Sequence, residues 1–102
     1  MSTIRRLVLD VLKPHQPTML TIADKLGDLD GVSGVDLTLL EIDSKVENIK
    51  ITLEGEDIDF QAVAEVIQDA GGSIHSIDKV SCGRQLVEEA DTAQDGGARW
   101  MR

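Results

Sequence analysis

The 102-residue sequence predicts a two-layer α+β domain with the element order strand–helix–strand–strand–helix–strand. Apolar and polar residues alternate over 4–13, 35–43, 46–54 and 73–81, the period of strands with one covered face. Two intervening segments carry apolar residues at helical spacing, and glycines or prolines separate the segments. Composition sets the size and kind of core: 41% of residues are hydrophobic but only 2% aromatic, so one domain of ordinary size packs on Leu, Ile and Val.

In the first strand, IRRLVLDVLK, Leu7, Leu9 and Val11 share one face, and Arg6, Val8, Asp10 and Leu12 the other. Pro14 and Pro17 bracket His15 and Gln16, and Pro17 suits a first helical turn. Met19, Ile22, Ala23, Leu26 and Leu29 give the helix its apolar stripe, with Gly31 as a left-handed stop. In the second strand, VDLTLLEID, the alternation slips at Leu39-Leu40. A bulge there would keep Leu40 and Ile42 inward and send Glu41 and Asp43 outward. Asp43-Ser44-Lys45 is a turn, and Ile49, Ile51 and Leu53 line the third strand. Asp59 caps the second helix, whose stripe is Val63, Val66, Ile67 and Ala70; Gly71-Gly72 ends it. The fourth strand covers 73–81.

Two right-handed crossovers in one sheet arrange these elements as a split βαβ, the ferredoxin-like fold. The expected strand order is 4-1-3-2, all antiparallel, with both helices on one face. The domain is expected over 1–83, and 84–102 as a C-terminal arm or short helix with flexible last residues.

The net charge of −9 argues against nucleic-acid or anionic-membrane partners, and Arg5-Arg6 is the only adjacent basic pair. Cys82 is the single cysteine, which excludes an internal disulfide and a cysteine-based metal cluster within one chain. With neither a secretory signal nor a long apolar run, the expected location is cytoplasmic.

The stretches LVLDVLKPHQP, LLEIDSKVENIKITLEG, DIDF, GGSIHSIDKV and GRQLVEEADTAQD together resemble an archaeal family of unassigned role, domain-of-unknown-function family 211. The likeness runs from Ile4 to about Asp95. It implies a ferredoxin-like domain that assembles into homo-oligomers, and it brings no established reaction. Ala93 stands where the family pattern has Pro, which implies a looser tail.

Topology gives the polar residues addresses. The end of the first strand, at His15, should meet the start of the fourth, at His75, so the two could share a ligand with Ser76. A histidine satisfied by backbone groups is the plainer reading of each. If Ile77 faces the helices, parity puts His75 on the same side and Ser76 and Asp78 on the open face. Val8, Leu12, Ile74 and Val80 then make the open face apolar, a candidate interface between copies, a ring among the forms allowed. Partial cover by Leu86 and Val87 is the alternative. Asp10, Asp78 and Glu41 would collect on that face, oxygen donors suited to Ca²⁺ or Mg²⁺, against the simpler reading of a solvated acidic surface with Lys50 beside Asp10. The functional expectation is a non-enzymatic, self-assembling domain that binds a small ligand or cation, in a regulatory or scaffolding role. The alternatives are an enzyme using the His15/His75 end, without a recognisable nucleophile motif, and a purely structural assembly unit.

Overall fold

Alternating aliphatic residues on two central strands build the core. Leu7, Leu9 and Val11 of β1 (Ile4–Pro14) meet Ile49, Ile51 and Leu53 of β3 (Val46–Gly55) on one face of the sheet. Onto this face pack Ile22 and Leu26 of α1 (Met19–Gly27) and Val63 and Ile67 of α2 (Phe60–Asp69), all nearly inaccessible to solvent. Burying one such side chain stabilises the fold by about 1.5–3 kcal/mol. β2 (Val32–Ile42) and β4 (Ser73–Cys82) form the edges, and the order β2-β3-β1-β4 is antiparallel throughout. This is the ferredoxin-like βαββαβ arrangement read from the sequence. These features come from a computed structural model, which describes residues 2–88. Most of the arm or short helix expected over 84–102, including Ala93, lies outside the described residues.

Asp59 caps α2 as expected: its carboxylate accepts from the amides of Gln61 and Ala62. α1 stops at Gly27, before the last residue of its apolar stripe. Leu29 still packs on the core, and its carbonyl accepts from the Val32 amide as the chain turns into β2. Gly31 therefore sits in that turn rather than capping the helix. Its φ is 85°, and its carbonyl accepts from the amides of Glu56 and Asp57. A Cβ on Gly55 would lie 1.9 Å from the Gly31 oxygen, and one on Gly31 would lie 2.0 Å from the Asp57 oxygen. Two backbones cross here at a distance that only glycine permits.

Bulges decide which side chains face where. One of the two in β2 falls between Leu39 and Glu41, as the slipped alternation indicates; the other lies between Val32 and Gly34. Leu40 and Ile42, expected inward, are nevertheless 48% and 60% exposed. A nine-residue helix is about 13 Å long, whereas an eleven-residue strand runs about 35 Å, so the end of β2 outruns its cover. The two bulges in β4 add His75 between the partners of Asp10 and Val11, and Asp78 between those of Val8 and Leu9. Each shifts the parity by one residue. Ile74, Ile77 and Val80 consequently oppose Val11, Leu9 and Leu7, all on the helix-facing side. The open-face placement of Ile74 and Val80 is thereby corrected: Ile74 packs against the core, and Val80 is 55% exposed on the helix-side edge. Val8 and Leu12 lie on the open face.

Candidate functional site

The end of the sheet where β1 stops brings together the β1 exit, the β2–β3 turn and the start of β4. On its helix-facing side, the parity that places Leu9 and Val11 in the core continues to Lys13, and that of Ile51 and Ile49 continues to Glu47. Lys13 and Glu47 oppose one another directly. The Lys13 side chain is fully buried, and its Nζ donates to Glu47 Oε1 at 2.8 Å. Alone, a buried ammonium would be costly; the carboxylate makes the position tenable.

His15 takes the other oxygen of the same carboxylate, Nδ1 lying 3.0 Å from Glu47 Oε2. The Glu47 contact, helped by the backbone carbonyls of the nearby turn at Ser44 and Asp43, holds the His15 pKa above its ordinary 6.5. The hydrogen bonds from Lys13 and then His15 hold Glu47 below its ordinary 4.5. Asp43 is also pulled down, chiefly because its Oδ1 accepts from the amides of Val46 and Lys45, each at 2.8 Å, which shapes the turn.

A groove of about 630 Å³ opens at the same turn, lined by Leu12, Val46 and Asn48 together with β2 residues 39–43. The exposed apolar side chains Leu39, Leu40, Ile42 and Val46 gather here. Its polar groups are Glu41, Asp43 and Asn48.

His15 and His75 both sit toward this end, on opposite flanks of β1. His15 turns to β3 and the β2–β3 turn, while His75 is exposed in a β4 bulge. Ser76 opposes Asp10, and its hydroxyl donates to Asp78 Oδ1 at 2.6 Å, so the two side chains meet on the open face. Asp10 lies between Lys50 and Ser76 and accepts from the Asn48 amide. Glu41 opposes Asn48, one strand further away. Among the described residues no group of three or more His, Cys, Asp and Glu could hold a metal ion. The Lys13–Glu47–His15 cluster was not anticipated from the sequence. Its signal was core parity running into two opposite charges.

Fold and site together define a ferredoxin-like domain with an ionic cluster and an apolar groove at one end of its sheet. The chain belongs to the DUF211 family, described as uncharacterized ArCR, whose model matches residues 5–96. It is 48% identical, over 95 residues, to an uncharacterized protein of the archaeon Methanocaldococcus jannaschii, covering 93% of this chain and 98% of that relative.

Proposed function

We propose that this chain is a non-enzymatic, self-assembling domain and that the groove at the β2–β3 turn is its contact with a second copy. The observation carrying this reading is the gathering of Leu39, Leu40, Ile42 and Val46, each at least 39% exposed, around one groove. Exposed aliphatic side chains are unremarkable singly; a concave cluster of them marks an interaction surface. The opposite edge strand offers a second apolar patch, Ile77 and Val80. Different patches on opposite edges suit a head-to-tail contact, which closes into a ring when the rotation per subunit allows. Leu12 stays in the proposed interface, which moves from the middle of the open face toward β2.

A regulatory or scaffolding role follows from assembly, and a small ligand would meet Glu41, Asp43 and Asn48 in the groove. Among the described residues no helix is long and apolar enough to cross a membrane. Native mass spectrometry reads subunit number and retained ligand together. The expected result is a mass several times 11.1 kDa for the wild type and dissociation for Leu40→Asp, which puts a charge into a desolvated contact while leaving the exposed monomer surface unharmed. A wild-type monomer at micromolar concentration overturns the reading; an unchanged Leu40→Asp oligomer moves the contact elsewhere.

A further inference from the structure

Residues 99–102 stand apart from the rest of the sequence. In a chain of net charge −9, Arg99-Trp100-Met101-Arg102 sets two of the ten basic residues around the single tryptophan and a methionine. They lie outside the described residues and beyond residue 96, where the family match ends. The stretch before them, EADTAQDGGA, has no large apolar side chain, which is the composition of a connector.

The fold sets where this connector starts. Arg5 donates to the carbonyls of Gly83 and Arg84, and Arg6, paired with Glu54 at 2.9 Å, also pairs with Glu88 at 3.3 Å. Arg6 shares the open face of β1 with Val8 and Leu12, so Glu88 is held at that face, where β1 begins. The groove opens toward the other end of β1, where Leu12 and Asn48 of the same face line it. Arg6 and Leu12 are six residues apart on β1, about 20 Å. The twelve residues from Glu88 to Trp100 span up to about 40 Å. The segment therefore reaches the groove of its own chain with length to spare.

Groove and segment are complementary. Leu39, Leu40, Ile42 and Val46 offer apolar surface, and the charged residues lining the groove, Glu41 and Asp43, are both acidic. Trp100 and Met101 would cover the first, and Arg99 and Arg102 would meet the second. A groove of about 630 Å³ has the size of a site for a few side chains. A tether of this length also sets a local concentration of roughly millimolar, so a weak contact suffices to fill the groove.

We propose that the groove is the docking site of the chain's own segment 99–102: Trp100 and Met101 cover the aliphatic wall, Arg99 and Arg102 face Glu41 and Asp43, and the segment competes with a second copy for that surface. The effect on assembly rests on the groove being the contact between copies; the docking itself does not.

The chain's only tryptophan reports the docking directly. Fluorescence of the full chain is read at a dilution where light scattering gives a single chain. Trp100 emission should be shifted to the blue and shielded from acrylamide. Leu40→Asp removes part of the apolar wall, and Arg99→Glu combined with Arg102→Glu reverses the charge of the segment without touching a described residue. Each should return Trp100 to the emission and quenching of a solvated indole. Equal quenching in the wild type and both variants overturns the docking. Shielding that appears only at concentrations where copies assemble also overturns it, because the segment then sits on another chain. Trp100→Ser tests the competition by light scattering. With the groove filled in about nine molecules of ten, freeing it should lower the dissociation concentration of the assembly by roughly tenfold. An unchanged dissociation concentration beside a shielded Trp100 upholds the docking and removes the groove from the contact between copies. A protein that is monomeric throughout fails the assembly reading, while Trp100 still decides the docking.

Discussion

At the end of the sheet where β1 begins, Arg5 sends its guanidinium to the backbone oxygens of Gly55, Gly83 and Arg84, at 2.9, 3.2 and 2.7 Å. At the end where β1 stops, Lys13 and His15 converge on one carboxylate, Glu47. Each arrangement holds strand ends to a neighbouring segment. The chemistry differs in what can change: a guanidinium stays charged and carbonyls do not titrate, so the first connection is indifferent to pH. The second contains an imidazole, whose charge changes within the physiological range. The invariant end carries the glycine crossing; the titrating end carries the apolar groove. The fold thus separates a fixed closure from an adjustable one, and the groove lies beside the adjustable one.

The largest test strikes the fixed end. Gly55→Ala would place its Cβ 1.9 Å from the Gly31 carbonyl oxygen, and backbone rather than a flexible side chain would have to yield. The expected loss is about 4 kcal/mol or more, a large part of the stability of a small domain. Chemical denaturation followed by far-ultraviolet circular dichroism measures it. A loss below about 1 kcal/mol would mean that the crossing adapts easily, and the fixed end would not be fixed.

The same glycine crossing marks what was legible in the sequence. The alternation of Leu7, Leu9 and Val11 and of Ile49, Ile51 and Leu53 was enough for the central strands, and the helical stripes with Asp59 were enough for the layers. The β2 bulge was visible because two adjacent leucines broke the alternation. The β4 bulges were not, because polar residues filled the added positions and the strand could still be counted by twos. Ile74, Ile77 and Val80 recur every third residue; that spacing fits a strand only when it bulges twice, and it is the signal that would have kept Ile74 and Val80 off the open face. The groove was hidden for another reason: it forms where Leu12, Val46 and Asn48 of the open face meet the end of β2 beyond its bulge, and that meeting is a tertiary quantity. The Lys13–Glu47 pair was legible in principle, since both residues continue the parity of buried neighbours.

The next effect in size separates the two ends directly. Arg5→Gln removes charged hydrogen bonds to three carbonyls and should lower stability by about 1.5–3 kcal/mol. The difference from wild type should be the same in mildly acidic and mildly alkaline buffer, because neither partner titrates there. Urea denaturation at both pH values gives the two differences. A loss that grows on one side of neutrality would show that a titratable neighbour shares the Arg5 connection, and the contrast between the ends would narrow to one of degree.

The smallest effect concerns the one carboxylate that does approach Arg5. Glu56 Oε2 lies 3.6 Å from the guanidinium, but its side chain is 84% exposed, against 15% for Glu47. An exposed pair at that distance acts through water, is screened by salt and orders a mobile side chain, so it contributes little. Arg5 also has its three carbonyls and does not depend on Glu56, whereas Lys13, fully buried, has its ion pair with Glu47. Glu56→Gln should therefore change stability by no more than about 0.5 kcal/mol, and added NaCl should leave the wild type and the variant equally stable. If Glu56→Gln costs as much as Arg5→Gln and the cost vanishes in high salt, the closure at the start of β1 is ionic. The carbonyls would then be secondary, and that end would carry a carboxylate's sensitivity to acid where the geometry assigns it none.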